Sequence, residues 1–312
     1  METRQYPFYI KSTVILLGLV LLVHILLGLR DILVPIGFAL IISILLNPLV
    51  NRFHKKKISK VLSIILAMLI ALVIVGSVLY FLSSQIVGLG ENFPLLKQKF
   101  GEVLDNLKAW VQNTFGLGID KQVQLLNQAI DKSKGMLGQT LGTAVGTVGV
   151  VLLLPVYIFL LLFYKTLILN FLYEVFAEKN SKQVAEILTQ TKSAIQSYMI
   201  GLLIEALVVA TLNSIALLLL GVKYAILLGV IGAILNMLPY IGGIIAIALP
   251  VLMATVTKDG FSTQIGILIA YAIIQFIDNN ILVPRIVSSK VQINALCSIM
   301  VVLLGASLWG VP

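Results

Sequence analysis

The chain has 312 residues, 59% of them hydrophobic and 11% charged, with a formal net charge of +9. Soluble domains carry about 25% charged residues, so the composition excludes that class and points to a polytopic helical membrane protein. Solid apolar runs without alternation argue against a β-barrel, and one cysteine, Cys297, excludes an internal disulfide or a thiolate metal cluster.

Residues 8–29 and 32–50 read as the first two spans, the first a retained helix rather than a cleaved signal peptide. Arg52, His54, Lys55, Lys56, Lys57 and Lys60 follow, the densest basic cluster in the chain. The positive-inside rule makes this loop cytoplasmic, and with it the N-terminus. Topology and generic contact with anionic lipid headgroups outweigh a specific anionic-lipid or nucleic-acid site, so membrane lipid is the expected partner and nucleic acid is not.

A third span is expected over 61–82. The segment 83–140 then changes character: Phe93, Leu96, Phe100, Val103, Leu104, Leu107, Trp110 and Val111 recur at helical spacing, and Val123, Leu126, Ala129 and Ile130 repeat the pattern. This predicts a small extracytoplasmic helical insertion that caps the spans or a neighbouring protomer. A fourth span, 141–164, carries Gly138, Gly142, Gly146 and Gly149, a spacing that lets helix backbones approach closely in lipid. Residues 165–198 predict a cytoplasmic amphipathic helix, and 199–221 a fifth span.

The stretch 224–256 is apolar at both ends and broken by Asn236, Pro239, Gly242 and Gly243. One straight helix of that length would rise about 50 Å against a hydrocarbon core of about 30 Å. Two full crossings would need about 40 apolar residues, which the stretch lacks. Two half-length helices meeting at a break inside the membrane are therefore expected, and such breaks are where transporters hold substrates and ions. A further span over 265–283 and a last apolar run over 295–312 complete about eight membrane segments. A re-entrant 224–256 puts Arg285 and Lys290 inside, as the charge rule prefers. The last run then reads as the first arm of a second, oppositely entering hairpin.

Of 13 acidic residues, only Glu205 and Asp278 sit within apolar runs. A charge at the bilayer centre costs at least about 2.5 kcal/mol, so each needs a partner or a purpose. Asn213 shares the helical face of Glu205. Asp278 sits in a polar group with Gln275, Asn279 and Asn280, followed by Arg285. The functional reading lines a substrate or ion path with these side chains, Asn236 and the backbone freed near Pro239, Gly242 and Gly243. The structural alternatives are an interhelical hydrogen bond for Glu205 and an ion pair with Arg285 for Asp278. His24 and His54 are isolated, and no phosphate loop, protease constellation or metal-ligand spacing is present, so an enzyme with a cofactor or metal is not expected.

Leu235-Asn236-Met237-Leu238-Pro239-Tyr240-Ile241-Gly242-Gly243 resembles the "IPxxG" core of the autoinducer-2 exporter family. Asp278-Asn279-Asn280-Ile281-Leu282-Val283-Pro284-Arg285-Ile286 resembles its second motif, and Leu304-Gly305-Ala306-Ser307-Leu308-Trp309-Gly310-Val311-Pro312 its last. The resemblance covers essentially the whole chain. It implies a transporter of the bacterial inner membrane that forms homo-oligomers, a pentamer among them. Members are assigned to export of autoinducer-2 and others to sodium/proton antiport. Members usually continue with another apolar arm and a basic tail, so the expectation at Pro312 is either a truncated chain or an incomplete second hairpin.

The combined expectation is an all-α polytopic membrane protein. Residues 1–82 form scaffold spans, 83–140 an extracytoplasmic insertion, 141–164 a glycine-faced span and 165–198 a cytoplasmic helix. Residues 199–312 form a transport region with broken helices. The expected function is export of a small polar solute such as autoinducer-2 by alternating access. The alternatives are a sodium (cation)/proton antiporter and, from another class, a passive oligomeric channel. A receptor built on the extracytoplasmic insertion ranks below all three.

Overall fold

The computed structural model describes residues 7–91, 93–115, 152–175, 177–237, 242–258, 260–287 and 295–309. Among these the chain is helix and turn, without a strand. In order the helices are α1 (Phe8–Gly28), α2 (Arg30–Lys55), α3 (Lys60–Glu91), α4 (Phe93–Phe115), α5 (Leu152–Phe163), α6 (Lys165–Val175) and α7 (Ala177–Leu219). Then come α8 (Ala225–Asn236), α9 (Gly242–Thr257), α10 (Ser262–Ile277), a π-helical stretch Asp278–Val287, and α11 (Ala295–Trp309).

Among the described residues, five stretches are long and apolar enough to cross a membrane: α1, α2, Lys60–Gly88, Gln183–Leu219 and Ser262–Ile286. The pair α5 and α6, bent by 65°, makes a sixth if taken as one span. The expectation of about eight segments counts apolar runs whether or not their helices can cross. The arms α8 and α9 have 12 and 16 residues, and α8 at about 18 Å is well short of a hydrocarbon core of about 30 Å. A second difference concerns 177–198, expected to belong to a separate cytoplasmic helix. These residues run without a break into the following span, because polarity there marks where the membrane ends and no Pro or Gly ends the helix.

The chain forms two compact units. The first comprises 1–65, 146–185 and 292–312. In it α1 lies against α2 and α11 and buries none of its residues, while the Trp309 indole donates to the Leu26 carbonyl at 3.2 Å. The packing glycines Gly138, Gly142, Gly146 and Gly149, and residues 123–130, lie outside the described residues.

The second unit comprises 66–145 and 186–291 and is built around the hairpin α8–α9. The link from α7 turns on two left-handed residues, Gly221 at φ 64° and Tyr224 at φ 58°. The Tyr224 hydroxyl is fixed by donating to the Gly88 carbonyl of α3 at 2.8 Å. The far end of the hairpin comes back to the same place: a Cβ on Gly221 would stand 3.1 Å from Lys258 Nζ. The two arms therefore leave and return at one end, as a re-entrant hairpin does. Leu217, Val222, Ala225, Leu228, Ala254, Ile267 and Tyr271 pack together around that base, and Val209, Ala233 and Ile274 form a second cluster. Glycine sets the approach of α7 to α8, since a Cβ on Gly229 would stand 2.7 Å from the Ser214 backbone nitrogen. The amphipathic helix α4 lies against α9.

Candidate functional site

The break between Asn236 and Gly242 puts a polar helix end inside an apolar unit. A Cβ on Gly242 would run into the Leu235 carbonyl, so the arms close only with glycine there. Asn236 ends α8, and its side-chain amide donates to Asp278 Oδ2 at 3.0 Å. Asp278 stands where α10 gives way to π-helical geometry, and its side chain is 2% exposed. π-Helical turns occur frequently at functional sites, because they redirect side chains and free backbone groups.

Glu205 approaches from α7, buried at 9% exposure, with its carboxyl group within hydrogen-bonding reach of Asp278. Further along the same face of α7, Asn213 is 2% exposed. It lines a cavity of about 10 Å³ together with Gly232, Asn236, Gly243, Tyr271, Gln275 and Asp278. That volume suits one water-sized occupant. Asn213 Oδ1, the Tyr271 hydroxyl and Asp278 Oδ1 are buried and have no hydrogen-bond partner among the described residues. The glycines leave room for these groups: a Cβ on Gly232 would meet Asn213 Nδ2 at 3.4 Å and the Tyr271 hydroxyl at 3.6 Å. One on Gly243 would meet Gln275 Oε1 at 3.5 Å and Asn236 Oδ1 at 3.6 Å.

No basic side chain pairs with either carboxylate among the described residues; the ion pairs are Arg30–Asp31 and Lys108–Asp105. Arg285 is exposed, so Asp278 takes an amide partner in place of the arginine. Asn279 and Asn280 are exposed as well. Asn279 accepts from Gln275 at 3.2 Å, and Asn280 donates to the Phe276 carbonyl at 2.8 Å. Glu205, Asn213, Asn236, Gly243, Gln275 and Asp278 thus converge, Gly242 shapes the turn beside them, and Pro239 lies outside the described residues. Sequence reasoning overlooked Tyr271 and Gly232. Tyr271 precedes Asp278 by two helical turns, so asking which polar groups share the face of Asp278 would have found it.

Such a cluster of acceptor oxygens and carboxyls inside a membrane unit can hold a proton, a small cation or the hydroxyls of a polar solute. The model of AI-2E family transporters matches residues 12–312. The chain belongs to this family. It is 29% identical over 308 residues to the AI-2 transport protein TqsA of Escherichia coli (strain K12), covering 95% of this chain and 84% of that one. Two Bacillus subtilis (strain 168) proteins named for transport, YrrI and YueF, are each 25% identical over 90% and 88% of this chain. They are covered over 81% and 77% of their own lengths. As a member of the AI-2E family the chain is a multi-pass membrane transporter.

Proposed function

We propose that this transporter exports a small polar solute of the autoinducer-2 kind across the bacterial inner membrane, by alternating access around the α8–α9 hairpin. The observation that supports this is the contact of Asn236 with Asp278, which ties the hairpin tip to the π-helical stretch beside a second carboxyl. Two carboxyl groups this close, away from any basic side chain, favour a state in which one proton is held between them. Solute hydroxyls replacing that contact would separate Asn236 from Asp278 and release the hairpin tip, while the scaffold spans stay fixed. The protein works as a homo-oligomer in this reading, as the family resemblance implies. The test is export from cells: at equal expression, the parent chain moves labelled autoinducer-2 into the medium, and Asp278→Asn does not.

A second reading, a cation/proton antiporter, is favoured by three oxygens around a water-sized cavity, those of Asn213, Tyr271 and Asp278, that have no hydrogen-bond partner among the described residues. It predicts cation-dependent proton movement in the absence of any organic solute.

A further inference from the structure

We propose that the first unit holds an anionic phospholipid, with an acyl chain in the groove between α2, α5 and α6 and the phosphate on the lysines at its rim. The groove measures about 190 Å³ and is lined by Ile36, Tyr157, Leu160, Leu161, Tyr164 and Ile168. It lies where α5 stops and α6 leaves at 65°, a bend that opens a notch along α2. Four aliphatic side chains and two aromatic rings offer almost nothing to a polar solute, so the occupant is an apolar chain.

The rim of this apolar groove is cationic. Tyr164 meets Phe163 edge-on with ring centroids 5.0 Å apart, and the Lys60 ammonium stands 5.3 Å from the Phe163 ring centroid. Lys165 follows Tyr164 directly and is steadied by donating to Asn47 Oδ1 at 3.1 Å. One ammonium thus stands over the ring that meets the groove-lining tyrosine edge-on, and the other belongs to the residue that follows that tyrosine in the chain. Arg52, Lys55, Lys56 and Lys57 precede Lys60 at the end of α2 and in the turn to α3, and none of them has an ion-pair partner among the described residues. Leu167, Phe171 and Val175 on α6 are exposed, as suits a helix lying in the interfacial layer. A basic cluster alone is a topology signal, and an apolar groove alone is lipid-facing surface. Their adjacency is what selects a lipid with a negative phosphate over a zwitterionic one.

The test is native mass spectrometry of the full chain in detergent. The probes are phosphatidylglycerol, phosphatidylcholine of the same acyl chains, and glycerol phosphate. Phosphatidylglycerol should bind about tenfold tighter than phosphatidylcholine, and glycerol phosphate should not displace it. The double variant Lys60→Gln/Lys165→Gln should remove that preference, whereas Lys99→Gln/Lys108→Gln, the same loss of two charges on α4, should leave it. Leu160→Trp, which fills the groove, should weaken both lipids. Equal binding of the two lipids by the parent chain would overturn the proposal, as would displacement by glycerol phosphate. So would an effect of Lys99→Gln/Lys108→Gln matching that of Lys60→Gln/Lys165→Gln, or lipid binding unchanged in Leu160→Trp. If a variant does not fold, the three probes on the parent chain decide the matter alone.

Discussion

Asn236 donates its side-chain amide to Asp278 across 42 residues of chain, at 3.0 Å, so the tip of the hairpin is tied to the one point where α10 changes its winding. A hydrogen bond to a charged or proton-sharing group is worth about 1.5–3 kcal/mol. Asn236→Leu keeps the size of the side chain but leaves a 2%-exposed carboxyl without its amide donor. The expected result is a loss of about 1–3 kcal/mol in stability, read as a lower melting temperature of the purified protein. Solute export should fall about tenfold or more.

The two glycines at the turn make opposite predictions although they are neighbours. Gly242→Ala forces a methyl into the Leu235 carbonyl and should prevent closure of the hairpin, giving little folded protein. Gly243→Ala meets its nearest atoms at 3.5 and 3.6 Å, ordinary contact distances, and should fold with near-parental stability. Size-exclusion profiles of the two variants check this directly.

Helix approach supplies a third test. A Cβ on Gly229 would lie 2.7 Å from Ser214 N and 2.9 Å from Ser214 Cα, backbone atoms that cannot rotate away. Gly229→Ala should cost about 1–3 kcal/mol by pushing α7 from α8, measured as a loss of thermal stability. Gly232→Ala, with its closest contact at 3.4 Å, should fold but shrink the cavity, so its effect should appear in transport more than in melting.

Glu205→Gln keeps a hydrogen-bonding side chain of the same size next to Asp278 and removes an exchangeable proton. Transport by this variant should no longer respond to an imposed pH gradient, while binding of the solute persists. The check is flux across a series of gradients. Equal acceleration of parent and variant by the gradient would exclude Glu205 from coupling.

Much of this arrangement was legible from residues. Asn236, Pro239 and the two glycines announce a break because Pro lacks an N–H and Gly tolerates close approach, and a segment too long for one crossing and too short for two has few alternatives. Glu205 and Asp278 announce themselves by the cost of a carboxyl in lipid. The partner of Asp278 was not legible. Arg285, seven positions on, shares its face in an α-helix, but turns closed by i→i+5 bonds advance less per residue and change which side chains align. Nothing in Asp278-Asn279-Asn280 signals that winding. The continuity of α7 through 198 was hidden for a different reason: hydropathy reports the membrane boundary, and helices cross it freely.

In the proposed mechanism the proton held between Glu205 and Asp278 links proton movement to solute export. The most direct test of this link is efflux of labelled autoinducer-2 from proteoliposomes, with a pH gradient imposed or collapsed. Glu205→Gln and Asp278→Asn run beside the parent chain. The account predicts gradient-dependent efflux by the parent, loss of the gradient response in Glu205→Gln, and loss of efflux in Asp278→Asn. Parent efflux that ignores the gradient and survives both substitutions would contradict it.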